Sequence, residues 1–174
     1  MRSYENISPE EWIASTRKKV AEARERTALQ VNSELLQFYF EIGASILEVQ
    51  KKQGWGSGII DQLAGEIKTA FPSSGGFSVR NLKYMRAFAQ AYPDFPIVQV
   101  PLAQIPWYHH ISLLTKVKDL DERLFYMVES AKNGWSRDTM LLQVKSDLNR
   151  RQGGAISNFK QTCRINNRIL YSKP

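Results

Sequence analysis

With 174 residues, 43% of them hydrophobic, the chain is long enough to bury one domain core or two small ones and too apolar to be a disordered tail. Its single cysteine, Cys163, excludes an internal disulfide, and no Cys/His cluster has zinc-ligand spacing, so a reducing, cytoplasmic setting is expected. The formal charge of +7 and a pI near 9.6 suggest a polyanionic partner, and the excess is concentrated: residues 145–174 carry seven basic side chains against one acidic, and residues 76–93 carry three against none.

The N-terminal string MRSYENISPEEW has no apolar run of signal-peptide type, and no window approaches 18 uninterrupted apolar residues, so no membrane partner is expected. Ser8-Pro9-Glu10-Glu11 reads as a helix start, with Ser8 as cap, Pro9 at the first helical position and Glu11 completing a capping box. Apart from Gly43, no breaker follows until Gly54, which predicts a helix of about 44 residues, roughly 65 Å long at the usual rise. Its first half offers few apolar positions (Trp12, Ile13, Val20). In the second, Ala28, Val31, Leu35, Phe38, Ile42 and Val49 repeat at helical spacing, so residues 28–50 are expected to be core or a homodimer interface.

Ser57 is placed as the cap of a helix over 58–71 whose apolar stripe is Ile60, Leu63, Ala64, Ile67 and Phe71. After the loop PSSGG, Ser78 caps a helix that Pro93 ends. Prolines 93, 96, 101 and 106 make residues 93–106 an extended crossing that joins two helical halves, 8–93 and 107–151. A helix follows in WYHHISLLTKV. Asp119 with Glu122 opens another, carrying Leu124, Met127, Val128 and Ala131, which Asn133-Gly134 ends with a left-handed cap. Ser136 then caps a helix whose Leu141, Val144 and Leu148 are expected to face inward. The fold class is therefore all-α, a multi-helical domain over residues 1–160 with two helix-turn-helix-like units and a long N-terminal helix, followed by a basic tail over 161–174.

Within 79–92, Leu82, Met85, Ala89 and Tyr92 fall within about 80° of one another, with Val79 and Phe88 at the margins. Arg80, Lys83, Tyr84, Ala87, Gln90 and Ala91 lie opposite, with Arg86 on the flank. Two alanines among cations and a tyrosine make a low surface that lets a helix approach a nucleic-acid groove closely, and equally lets it lie against a flat protein partner. The turn PSSGGFS exceeds the usual three or four residues of a helix-turn-helix, whereas Asn133-Gly134-Trp135-Ser136 has the usual length. The helix after it exposes Thr139, Gln143, Ser146 and Arg150 on one line, beside Arg137 and Arg151, although Leu142 sits among them. An ordinary helical hairpin has the same pattern.

Chemistry of other kinds finds little support. His109 and His110 point about 100° apart on a helix and cannot chelate one metal from one face, so packing or capping is their expected role. Asp119, Asp121 and Glu122 sit at a helix start, where they complement the macrodipole, and Cys163 has no flanking base. No catalytic residue, metal site or cofactor is read from the chain.

The strings VNSELLQFYFEIGASILEVQ, GFSVRNLKYMR, PWYHH and NGWSRDTM, within residues 12–162, resemble a bacterial domain of unknown function, the N-terminal domain of YhcG-type PD-(D/E)XK nucleases. The resemblance implies an all-helical module that binds DNA or an associated protein, joined to a metal-dependent nuclease domain, and a setting in defence against foreign DNA or control of mobile elements. After Asn158-Phe159 the sequence reads KQTCRINNRILYSKP, with no strand for an acidic pair and lysine, so no cleavage by this chain alone is expected. Two functions are carried forward. One is a non-catalytic DNA-binding module using Arg80, Lys83, Tyr84, Arg86, Gln90, Arg137, Thr139, Gln143, Arg150 and Arg151. The other is a homodimerising scaffold that docks a nuclease or a defence-system partner.

Overall fold

The computed structural model describes residues 8–54, 56, 58–93 and 103–152, among which there are seven helices and no strand. In chain order these are α1 (Pro9–Gln53), α2 (Gly58–Ala70), α3 (Val79–Ala91), α4 (Trp107–Lys116), α5 (Leu120–Asn133), α6 (Arg137–Lys145) and α7 (Leu148–Arg151). None of them is long and apolar enough to cross a membrane. The expected cap at Ser57, most of the proline-rich crossing and the basic tail lie outside the described residues.

The starts of α1, α3, α5 and α6 have the capping chemistry read from the sequence. Ser8 Oγ accepts from the Glu11 amide at 3.2 Å while Glu11 Oε2 accepts from the Ser8 amide at 3.0 Å, satisfying donors that the first turn leaves orphaned. Ser78, Asp119 and Ser136 cap α3, α5 and α6 by accepting from the amides of Asn81, Glu122 and Thr139. Gly54 and Gly134 close α1 and α5 in the left-handed region, at φ 64° and 61°.

One apolar core holds the helices together. Leu36, Tyr39 and Ile46 of α1 pack with Leu82, Met85 and Phe88 of α3, and Trp107 of α4 joins them, its ring 4.8 Å from Tyr39 and 5.3 Å from Phe88. Leu124, Phe125, Tyr126 and Met127 of α5 and Met140 of α6 extend the same cluster, so residues from both helical halves share a core. Gly43 does not break α1. It is buried where α1 meets α3, and a Cβ there would overlap the Met85 carbonyl. Where the crossing re-enters the described chain, Asn32 Nδ2 donates to the carbonyls of Ala103 at 2.6 Å and Ile105 at 3.0 Å, tying it to α1.

Three details depart from the sequence reading. Phe88, expected at the margin of the α3 face, is fully buried at its centre, because α4 packs against that side with Trp107 and His110. In α6 the fully buried anchor is Met140, whereas Leu141, Val144 and Leu148 are half-buried. The helix also stops at Lys145: Asp147 takes φ 50° and α7 starts afresh, so Thr139, Gln143, Ser146 and Arg150 do not form one helical line. Tyr126 supports the break from α5, its hydroxyl donating to the Gln143 carbonyl and accepting from the Asn149 amide, both at 3.4 Å.

Candidate nucleic-acid groove

The N-terminus of α3 is fixed from three sides. Ser78 caps it, and the Asn81 side chain donates to the Gly76 carbonyl while its Oδ1 accepts from Trp107 Nε1 at 2.9 Å. Gly76 takes φ 91°, a conformation that suits glycine. This anchoring orients Arg80, whose guanidinium lies 5.7 Å over the Tyr84 ring one turn later, with Nη2 at 3.4 Å from the phenol oxygen. The ring limits the arginine's swing without removing its charge.

Helix α4 stands beside α3 and buries His109, His110 and Leu113, which turns Tyr108, Ser112, Thr115 and Lys116 outward. His109 Nε2 lies 3.0 Å from the Trp135 carbonyl, which can only accept, so this nitrogen carries the proton and ties α4 to the turn before α6. Packing is thus the observed role of both histidines. The tie brings Arg137, first residue of α6, to the same side as Arg80 and Lys116. Arg137 also donates through Nε and Nη2 to Asp138 Oδ1, at 2.9 and 2.8 Å, in an exposed pair.

Between α3, α4 and α6 runs an open groove of about 530 Å³, with Arg80, Lys116 and Arg137 around it, Tyr84 and Tyr108 offering rings, and Ile111 and Leu141 among its apolar lining. Among the described residues no acidic one lines it. Such a surface can hold phosphates by charge and hydroxyl contacts while presenting aromatic faces to sugars or bases.

The structure gathers Arg80, Tyr84 and Arg137, drawn from the two expected helix-turn-helix-like units, into this one groove. Lys83 and Gln90 are exposed on α3 but do not line it. Arg86 is half-buried and donates through Nη1 to Gln50 Oε1 of α1 at 3.2 Å, a contact that holds helices together. The Thr139 hydroxyl is engaged with Ser136 Oγ at 2.8 Å, and Gln143 is half-buried. Arg150 and Arg151 are exposed on α7, the latter donating to Ser146 Oγ at 2.8 Å. Lys116 and Tyr108 were missed by the sequence reading. Part of the signal was present, since residues 108, 112 and 115 fall within about 60° on the α4 face away from the buried His110, whereas Lys116 lies only about 20° from the buried His109.

Fold and groove together define an all-helical domain built around an open cationic cleft, with no group of three or more His, Cys, Asp or Glu placed to hold a metal ion among the described residues. Residues 15–151 match the DUF1016 N-terminal domain, and the chain belongs to that family. The chain is similar to the protein of Escherichia coli (strain K12) named "Putative nuclease YhcG", 26% identical over 162 aligned positions that cover 74% of this chain and 42% of the relative. The chain thus spans well under half of that relative's length. No solved structure matches it.

Proposed function

We propose that this domain holds duplex DNA in the groove between α3, α4 and α6 and does not cut it, cleavage being the work of a separate nuclease domain. The observation that carries the reading is the convergence of Arg80, Lys116 and Arg137 from three helices on a cleft with no acidic residue among its described lining, beside Tyr84 and Tyr108. Cations fixed by separate elements match the spacing of a phosphate backbone better than a single mobile cluster does, because less side-chain freedom is lost on binding. Lys83, Gln90, Arg150 and Arg151 are exposed outside the cleft and extend the contact along the duplex in this reading.

The test is fluorescence anisotropy with duplex, branched and single-stranded DNA at two salt concentrations. Replacing Arg80, Lys116 and Arg137 together by alanine is expected to weaken duplex binding by about 100-fold, roughly 1 kcal/mol for each lost charge-assisted contact. A matched triple replacement of the exposed Lys18, Lys68 and Lys132, away from the groove, should leave binding within about threefold after the change in net charge. Equal losses in the two triples would show that only bulk charge matters and defeat the reading. Metal-dependent cleavage of DNA by the pure chain would defeat its non-catalytic half.

The scaffold reading is favoured by a different observation, the apolar surface that α1 leaves uncovered.

A further inference from the structure

The first half of α1 touches little of the described chain. From Pro9 to Val31 every residue is exposed except the half-buried Thr16, and the core begins only at Asn32 and Leu36. A helix of this length without tertiary packing is marginal in water. Yet this half carries Trp12, Ile13 and Val20 at 50–54% exposure, and Val31, Leu35 and Phe38 continue the surface at 38–64%. At 100° per residue, Trp12, Ile13, Thr16, Val20, Ala23, Thr27, Val31, Leu35 and Phe38 fall within about 140° of one another. They form one continuous stripe beside the core-facing side of the helix. The stripe stays open where α1 packs on α3, because Leu35, Phe38, Glu41, Ser45 and Glu48 are all exposed.

The same sector of about 140° also carries Arg17, Arg24, Glu34 and Glu41, so the stripe is charged as well as apolar, and its charges are segregated along the helix. Residues 17–26 carry Arg17, Lys18, Lys19, Arg24 and Arg26 against Glu22 and Glu25, whereas residues 27–48 carry Glu34, Glu41 and Glu48 and no base. A parallel copy would set like charges together, but an antiparallel copy sets the basic half of one helix against the acidic half of the other. One register satisfies both patterns. With residue numbers summing to 58 across the pair, Arg17 meets Glu41 and Arg24 meets Glu34, while Val20 meets Phe38, Ala23 meets Leu35 and Thr27 meets Val31. Small residues thereby oppose large ones along the seam, as interdigitated packing requires. Arg17, Arg24 and Glu34 enter no ion pair within the described chain, and Glu41 accepts only from Gln37 Nε2, at 2.7 Å.

We infer that α1 is a dimerisation helix: two copies of this chain pair their α1 stripes antiparallel about a two-fold axis near residue 29, with Arg17–Glu41 and Arg24–Glu34 contacts repeated on both sides. A two-fold axis makes each contact occur twice, so segregated charge on one helix suffices to set the orientation. The overlap runs over residues 13–45, about 50 Å of helix at 1.5 Å per residue.

The experiment is mass by sedimentation equilibrium, with cooperative thermal unfolding as the check that each variant folds. The wild-type chain is expected at twice its 20.0 kDa mass. Glu34→Lys/Glu41→Lys and Arg17→Glu/Arg24→Glu should each weaken self-association by about 100-fold or more, since four attractive pairs become repulsive. Mixing the two variants should restore a dimer, now a heterodimer, and all four substitutions in one chain should restore the homodimer. A monomeric wild type at about 100 μM, a dimer indifferent to both reversals, or reversals that mixing does not rescue would each overturn the inference. None of these readouts involves DNA, so they stand or fall apart from the groove.

Discussion

Gly43 shows how one residue positions two helices. It lies in the middle of α1 facing α3, and any Cβ would meet the Met85 carbonyl, which belongs to backbone and cannot swing away. Gly43→Ala should gain about 1 kcal/mol of helix propensity and lose more than that to the forced separation of α1 and α3, for a net loss of about 1–3 kcal/mol in denaturant unfolding. A sequence reading sees this glycine only as a weak breaker, because what crosses the helix is set 42 residues away. Tyr92 is a second case. Its buried hydroxyl has no hydrogen-bond partner among the described residues, and burial pushes its pKa up from 10.0 to about 12, with the Arg123 guanidinium, 5.2 Å from the ring, pulling more weakly the other way. The folded protein therefore favours the neutral phenol. The stability this contributes is complete below pH 10 and is lost as pH rises towards 12, amounting to about 1.4 kcal/mol by pH 11. Burial raises Tyr39 and Tyr126 as well, with the same sign. In urea unfolding at pH 8, 10 and 11, Tyr92→Phe should be level with wild type or up to about 1 kcal/mol more stable at pH 8, and should fall less steeply above pH 10.

At the scale of elements, what was legible in the sequence is what local chemistry decides. Ser8, Ser78, Asp119 and Ser136 cap the helices they were expected to cap, and Gly134 ends α5, because a cap is satisfied by residues three or four positions away. The end of α6 was not legible, since no glycine or proline marks it. The break is held by Tyr126, whose hydroxyl engages Gln143 and Asn149 from 17 and 23 residues away. Asp147 consequently occupies the left-handed region at φ 50°. Asp147→Gly is expected to stabilise the domain by up to about 1 kcal/mol, and Asp147→Val to destabilise it by about 1–2 kcal/mol, since a β-branched side chain is least tolerant of that conformation. Denaturant midpoints of the two variants should therefore move in opposite directions from wild type. A shift of both in one direction would mean that the helix runs through residue 147.

At the scale of the whole molecule, the all-helical class and three of the groove's residues were readable, but the groove itself was not. Wheel analysis of single helices sets Arg80 on one candidate surface and Arg137 on another. Only the packing of α4 between them, through Trp107 on Asn81 and His109 on Trp135, makes the surfaces one and adds Lys116 and Tyr108. A composite site makes a collective prediction about salt. Each phosphate that a cation neutralises contributes about −0.9 to the slope of log affinity against log salt concentration on duplex DNA. If Arg80, Lys116 and Arg137 each hold one phosphate, alanine at all three should make the wild-type slope shallower by about 2.7. Alanine at each singly should make it shallower by about 0.9, with the three changes adding. His109→Leu tests the same geometry without touching charge at the groove. It frees the Trp135 carbonyl and lets α6 drift from α4, so affinity should fall by about tenfold while the slope changes by no more than the single contact of Arg137. Measured on one duplex from low to physiological salt, slopes that fail to add would show that the three cations do not act as independent phosphate contacts on one strand of backbone.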